Sequence, residues 1–453
     1  MQKSAWNLRG ASRARILLRA NPIARYFYRE ASRAPAASAV YSQPMQNTAI
    51  SEKRLMDDIE SIAGWNEADP AAGYSRPTFS SAWKGARDFV IGEARRLGCS
   101  VKTDPAGNVH ARPGGLSWNE PAWLCGSHLD SVPSGGMFDG VVGVVVALEL
   151  LRTQPDAALE LVVFAEEEGT TFGIAMAGSR AWAGTIEAER LRKLKNRAGI
   201  DFETAGAVFG VAPDMICAKR FGFPLDSYKG MIEVHVEQGS GLWKKGLPVA
   251  VVTTVNGRRQ YAGKITGVPN HAGSTAMSDR FDSLAGAAEF VLALETLGRE
   301  LDSHHPGSTV TAGALTVAPN AVNVIPGAVD FMLDFRSPSD DALASGDASI
   351  RRLLSSIGEK RSLLTQIDCF EALPAMPFDP GLCDRLRRAA AGLGIPLPDA
   401  SSGALHDSAI LAPFLPTAML FVASRDGISH NPAEFSRPED IAAAARIVAA
   451  AIA

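Results

Sequence analysis

Paired cysteines are missing from this chain. It has five (Cys99, Cys125, Cys217, Cys369 and Cys383), an odd number with no CxxC spacing. That argues against a disulfide framework and suits reduced structural thiols in an intracellular protein. An excess of one charge is also lacking: 45 Lys and Arg face 49 Asp and Glu, for a net charge of -4. No surface is therefore expected to neutralise phosphates or anionic lipid, and neither nucleic acid nor a membrane is expected as a partner. Long apolar runs are absent too. Val141 to Leu148, among the longest, falls well short of the ~20 residues needed to cross a bilayer. Histidine is scarce, with eight in all, so each can be weighed individually.

What is present is length and apolar content. With 453 residues, 46% of them hydrophobic, the chain can build a substantial core and two domains. The first forty residues carry seven Arg and one Lys against the single acid Glu30. This composition suits an organellar transit peptide, and equally an upstream extension of a reading frame whose functional start is near Met45. Residues 1–45 are set outside the fold on either reading. The expected location is cytoplasmic, or an organellar matrix if the segment is a transit peptide.

From Ser51 helix-like and strand-like patterns alternate, which predicts an α/β catalytic domain with a mixed, mainly parallel sheet flanked by helices. Strands are expected at Ser100 to Thr103, Gly107 to Ala111, Ala122 to Cys125 and in LELVVF, and a helix in VVGVVVALELLR. Residues 256–373 read differently, as strand, helix, strand, strand, helix, strand. That βαββαβ order is ferredoxin-like and predicts an inserted α+β domain. The catalytic domain then comprises residues 46–255 and 374–453.

The chemistry concentrates at strand ends. In LVVFAEEEGTTFG a buried apolar run meets Glu166, Glu167 and Glu168. Adjacent desolvated carboxylates cost several kcal/mol per ion unless a positive charge compensates, and a metal cation would supply it. His128 and Asp130 lie in CGSHLDS, and an Asp two residues on can hold the imidazole in its ligating tautomer. Asp139 in GGMFDG, Glu168, His235 in MIEVHVEQG and His430 in GISHNPAE complete a set from separate strand ends and loops, which one edge of a parallel sheet would gather. Imidazole and carboxylate donors without thiolate suit Zn(II) or Mn(II). Five ligands exceed what one catalytic ion with an open position takes, and fit two ions bridged by a carboxylate. Gln238, His271, Asn323, Arg336 and His406 read as substrate handles, Arg336 as a fork for a carboxylate. A single histidine is more often structural than ligating; here five sit in Gly-rich or strand-end settings beside acids and amides. Glu166 reads as a solvated or locally bonded neighbour, and His110, His304 and His305 are unassigned.

GSHLDSVPSGGMFDG, FAEEEGTTFG, HVEQG, NHAGSTAM, NVIPG with DFR, GALHDSA and GISHNPAE together resemble, in order, the motifs of the N-carbamoyl-L-amino-acid hydrolase, allantoate amidohydrolase and β-ureidopropionase group. That group lies within the di-metal aminoacylase and carboxypeptidase superfamily. The resemblance implies that Asp139 bridges two metals, that His128 and His235 complete one, and that Glu168 and His430 complete the other. It implies Glu167 as general base and His271 as a second catalytic group. It also implies Gln238, Asn323, Arg336 and His406 as contacts to a small ureido-acid substrate, and a homodimer formed through the inserted lid domain. The implied reaction splits the terminal carbamoyl group to amino acid, CO2 and ammonia. Allantoate hydrolysis, a di-metal peptidase or deacylase, and a metal-stabilised binding protein are the alternatives. Ala276, Ser240 and Leu405 depart from the motifs at positions expected to border the substrate pocket.

Overall fold

The computed structural model describes residues 49–69, 72–214 and 224–453. The segment 1–45 and Cys217 therefore lie outside the described residues. Along the chain come α1 (Glu52–Ala63), α2 (Ser81–Arg96), β1 (Ser100–Thr103), β2 (Val109–Arg112), β3 (Trp123–His128), α3 (Val141–Thr153), β4 (Leu159–Phe164), β5 (Gly230–Val236) and β6 (Val249–Val255). Next are β7 (Gly257–Thr266), β8 (Asn270–His271), α4 (Ser283–His304), β9 (Thr309–Ala318), β10 (Val324–Ile325), β11 (Ala328–Ser337), α5 (Asp340–Arg361) and β12 (Leu364–Leu373). The chain ends with β13 (Met376–Pro377), α6 (Pro380–Gly392), β14 (Asp399–Ser402), β15 (Thr417–Val422) and α7 (Pro438–Ile452).

The larger sheet has nine strands in the order β1-β2-β4-β3-β5-β15-β6-β13, with β14 also on β6. Every residue of β3, β4, β5 and β15 is buried. Their Val- and Leu-rich runs are those of strands covered on both faces. These central strands pair in parallel, as does β14 with β6. The other four pairings are antiparallel, so the sheet is mixed and its parallel character is confined largely to the centre. Helix α3 packs on it with nearly every side chain buried. Among the described residues no helix is long and apolar enough to cross a membrane.

Residues 257–373 form a second sheet of four antiparallel strands, ordered β12-β7-β11-β9, with α4 and α5 packed on it. It has its own core, including Tyr261, Phe290, Phe331, Phe335, Ile350 and Leu354. Side chains alternate along its strands. The face away from α4 and α5 carries Arg258, Gln260, Asp334 and Arg336, and Arg258 and Arg336 stand directly opposite each other.

Between β2 and β4 lies a buried polar knot. His110 lies 2.7 Å from Glu160 Oε1 and 3.2 Å from Asp104 Oδ2. Arg112 and Tyr228 also reach Glu160, tying β2 to β4. Burial opposes a charge on His110, but hydrogen bonds and attraction from Asp104 and Glu160 prevail and lift its pKa to about 9. The folded value exceeds the ordinary ~6.5, so this stabilisation is complete below that pH and is lost as pH rises through 9. It amounts to about 3 kcal/mol. Comparing denaturant unfolding of the wild type and His110→Gln should show a stability gap that is wide at pH 6 and much narrower at pH 9.5. A gap independent of pH would mean that the ring is not held as the cation.

Candidate active site

The site is assembled where β3, β4 and β5 end. His128 closes β3 and His235 is the penultimate residue of β5. Both are fixed by backbone: His128 Nδ1 lies 2.9 Å from the carbonyl oxygen of Asp130, and His235 Nδ1 3.0 Å from that of Val236. A carbonyl oxygen only accepts, so each Nδ1 carries a proton, and in the neutral ring each Nε2 presents a lone pair. Both lone pairs face Asp139, with Oδ1 at 3.8 Å from His128 Nε2 and 3.0 Å from His235 Nε2. With neutral rings acceptor thus faces acceptor, and among the described residues the buried His128 Nε2 and Asp139 Oδ1 have no hydrogen-bond partner.

On the other side of Asp139, Oδ2 lies 3.1 Å from His430 Nε2, which is itself 3.7 Å from Glu168 Oε2. His128, Asp139 and His235 form one cluster whose donor atoms converge tightly enough for a cation, and Asp139, Glu168 and His430 form another. Asp139 belongs to both. Nitrogen and oxygen donors, an orphaned imidazole and an orphaned carboxylate oxygen fit a pair of divalent cations.

The local backbone explains the convergence. Gly140 has φ +67°, and a Cβ there would fall about 2.4 Å from the His128 ring. Glu434 accepts from the N–H groups of Phe138 and Asp139 at 2.9 and 3.0 Å, binding the Asp139 turn to the His430 loop. His430 and Gln238 adopt left-handed backbone, at φ +52° and +56°. Such non-glycine residues often gather at functional sites. The acidic loop is pinned at Ala165, whose N–H donates to Asn108 Oδ1 at 3.0 Å, and closed by N–H donation from Met176 to the Glu167 carbonyl.

Electrostatics point the same way. Burial would raise the pKa of Asp139, yet the close His235 and His430 rings hold it well below the usual range. Burial and the nearby Glu168, Asp407, Asp130 and Asp139 push Glu167 well up. Glu168 is pushed to about 8 by burial and Asp139. His235 rises to about 9 despite its burial, through Asp139. Protein groups alone balance this cluster by holding protons; divalent cations would take over that role.

One pocket of about 290 Å³ is lined by Asp139, Glu167, Glu168, His235, Gln238, His406 and His430, with Arg258, Arg336 and Leu405. Glu167 Oε2 is 3.7 Å from His128 Nε2. Gln238 Nε2 donates to Asp139 Oδ2 at 3.0 Å, and His406 lies edge-on to His235 while Nε2 meets Ser402 Oγ at 2.8 Å. His271 and Asn323 do not line this pocket. They adjoin each other, since Ala272 N–H donates to the Asn323 carbonyl, but both are exposed.

Three expectations need correction. The Asp130 carboxylate does not take the spare His128 N–H: the nearest approach is 3.9 Å, because the adjacent carbonyl is better placed. The carboxylate instead accepts from the N–H groups of Glu167 and Glu168 at 3.2 and 3.1 Å. Glu166 is not solvated. It is buried and accepts from Thr171 and Phe172 N–H at 3.0 and 2.6 Å, which leaves the locally bonded alternative. Of the three departing positions, Leu405 lines the pocket, whereas Ser240 and Ala276 are absent from its lining. Arg258, Glu434 and the buried Glu233, which binds Ser127 Oγ at 2.7 Å, escaped sequence reasoning. Glu233 and Glu434 do lie within the MIEVH and GISHNPAE motifs.

Fold and site together define a hydrolase with a candidate two-cation centre on the edge of an α/β sheet. Residues 124–453 match peptidase family M20/M25/M40. An N-carbamoyl-L-amino acid amidohydrolase of Geobacillus stearothermophilus is 35% identical over 388 residues, covering 84% of this chain and 92% of the relative. Allantoate amidohydrolase of Bacillus subtilis is 30% identical over 399 residues, 86% of this chain and 95% of its own. The solved amidase of the hydantoinase/carbamoylase family from Burkholderia multivorans superposes with a TM-score of 0.82 at 35% identity, covering 89% of this chain and 98% of that one. The chain belongs to peptidase family M20/M25/M40, among its carbamoylase-type amidohydrolases.

Because both clusters share Asp139, Asp139→Ala should abolish cation binding at both, whereas His128→Ala and His430→Ala should each lose about one equivalent. Elemental analysis after loading with zinc or manganese measures this. Retention of one tight equivalent in Asp139→Ala would show that the clusters are independent.

Proposed function

We propose that the protein is an N-carbamoyl-L-amino-acid hydrolase, releasing amino acid, CO2 and ammonia. The observation that carries this reading is the buried Glu167, which belongs to neither candidate cation cluster yet lines the same pocket as residues of both, together with Arg336. A carboxylate beside two candidate cation clusters, with a guanidinium in the same pocket to take a substrate carboxylate, suits water addition to a ureido carbonyl on an acid. The similarity to carbamoylases from Geobacillus stearothermophilus and Paenarthrobacter aurescens supports the same substrate class.

His128, Asp139 and His235 would hold one cation, and Asp139, Glu168 and His430 the other, Zn(II) or Mn(II) by donor type. When bound, the cations supply Lewis acidity to the carbonyl oxygen and lower the pKa of the attacking water. Glu167 accepts that water's proton and returns it to the leaving amine nitrogen; the carbamate then decays to CO2 and ammonia. Arg336 anchors the substrate carboxylate, and Gln238 and His406 orient the ureido group. Residues 256–373 act as the inserted lid and dimerisation domain. His271 and Asn323 reach the site from a second copy, which agrees with their exposure and their absence from the pocket of their own chain. His271 Nδ1 accepts from the N–H groups of Gly273 and Ser274, so Nε2 carries the proton offered to the developing oxyanion.

Glu167→Gln should retain two cations and lose about 100- to 10,000-fold in kcat; near-normal turnover would remove it as the base. A panel of N-carbamoyl-L-amino acids, N-carbamoyl-β-alanine and allantoate, read by ammonia release, separates this reaction from that of the allantoate-cleaving relatives. Mixing inactive Glu167→Gln and His271→Ala proteins under subunit exchange should restore about a quarter of wild-type activity per site, from heterodimers with one intact site. No recovery despite proven exchange would confine each site to one chain.

A further inference from the structure

We infer that Arg258 and Arg336 form a two-guanidinium clamp for a diacid, so that the preferred substrate is an N-carbamoyl amino acid with an acidic side chain. This rests on the ureido-acid reading above and narrows its substrate class.

Arg258 and Arg336 are direct partners across β7 and β11. Like charges in that register repel across a short distance on one sheet face. Both line the pocket that holds Asp139, Glu167 and His235, so the two guanidinium groups occupy the side of the cavity built by the second sheet. Local acids meet only part of their demand. Arg336 Nε and Nη2 donate to Asp334 Oδ1 and Oδ2 at 2.7 and 3.3 Å, and its Nη1 donates to the Gly403 carbonyl at 2.7 Å, which leaves one N–H on each terminal nitrogen for a substrate. Asp334 Oδ2 already accepts from Gln260 Nε2 at 2.8 Å. Arg258 Nη2 lies 2.6 Å from Glu371 Oε2, but the pair lacks a hydrogen-bond angle: among the described residues Glu371 Oε2 and the buried Arg258 Nε both have no hydrogen-bond partner. Arg258 is therefore balanced in charge without being held in a fork, and a guanidinium offers five N–H donors.

One carboxylate on a ureido acid occupies one fork. A second guanidinium in register suits a second carboxylate, carried on a short side chain. The rest of the lining supports size selection without further charge, through Ala175, Met176, Ala404 and Leu405. Hydrolysis itself is unchanged: the acidic side chain takes no part in bond making.

The test compares cation-loaded wild-type protein on N-carbamoyl-L-aspartate and N-carbamoyl-L-glutamate with the same measurements on their neutral amides, N-carbamoyl-L-asparagine and N-carbamoyl-L-glutamine. The better acid should exceed its own amide by at least ~10-fold in kcat/KM, mainly through KM. In Arg258→Gln that acid-to-amide ratio should fall by about 10- to 100-fold, the range expected for a lost hydrogen bond to a charged group, with Arg258→Lys intermediate. Wild-type protein that handles the amides as well as the acids overturns the clamp without any variant. So does an acid preference that Arg258→Gln leaves intact. Ammonia release from N-carbamoyl-L-alanine with no acid preference overturns the clamp alone. No release from any of these substrates, N-carbamoyl-β-alanine and allantoate included, overturns the ureido reading and the clamp with it.

Discussion

Two imidazole lone pairs and a buried carboxylate oxygen face each other around Asp139, and much of the site's architecture follows from that contact. The His128 and His235 rings cannot turn away, because their Nδ1 protons are committed to backbone carbonyls of Asp130 and Val236. Acceptors held at such range in a dry interior repel unless positive charge lies between them. The protein alone supplies protons, which is why His235 rises to about 9 while Asp139 falls well below its usual range. Two divalent cations would satisfy the same geometry with more charge, and would let Glu168 ionise beside Asp139 instead of being pushed to about 8.

Holding such a cluster together takes more polar structure than the cluster itself. Asp130 clamps the N–H groups of Glu167 and Glu168, and Glu434 clamps those of Phe138 and Asp139. Glu233 ties Ser127, beside His128, to Ser408, near His406. Each is a buried carboxylate spent on backbone or hydroxyl donors, so each is satisfied while it fixes a neighbour. Preorganisation of this kind keeps donor atoms in place before any ligand arrives. Gly140 has the complementary role, since only a residue without Cβ lets the Asp139 turn press against the His128 ring.

The second sheet adds the arginines. Its helix-covered face is apolar and makes a separate core, whereas its other face brings Arg258 and Arg336 to the pocket. The division of labour is spatial. The large sheet's edge holds the candidate cation clusters and Glu167, and the smaller sheet brings two guanidinium groups to the same pocket. A hydrogen bond from Arg336 to the Gly403 carbonyl joins the two.

Much of this was legible in the sequence. Continuous β-branched runs announced buried strands, as LELVVF became β4, and the change of rhythm after Asn256 announced the second sheet. His128, Asp139, Glu168, His235 and His430 stood out as a set, because imidazoles and acids recur at strand ends and in glycine-rich loops where a parallel sheet could gather them. The role of Asp130 was misread because a spacing of two residues cannot say whether a carboxylate or its own carbonyl reaches the ring; that depends on where the chain bends. Arg258 was invisible as a pocket residue, since its partner Arg336 lies 78 positions away and only strand register sets them side by side. Residue type and periodicity thus determined which chemistry the chain carries and which strands bear it, because those are local properties. Tertiary structure decided which atoms face one another, because ring tautomers, carboxylate partners and cross-strand neighbours depend on backbone groups distant in the chain meeting within hydrogen-bond range.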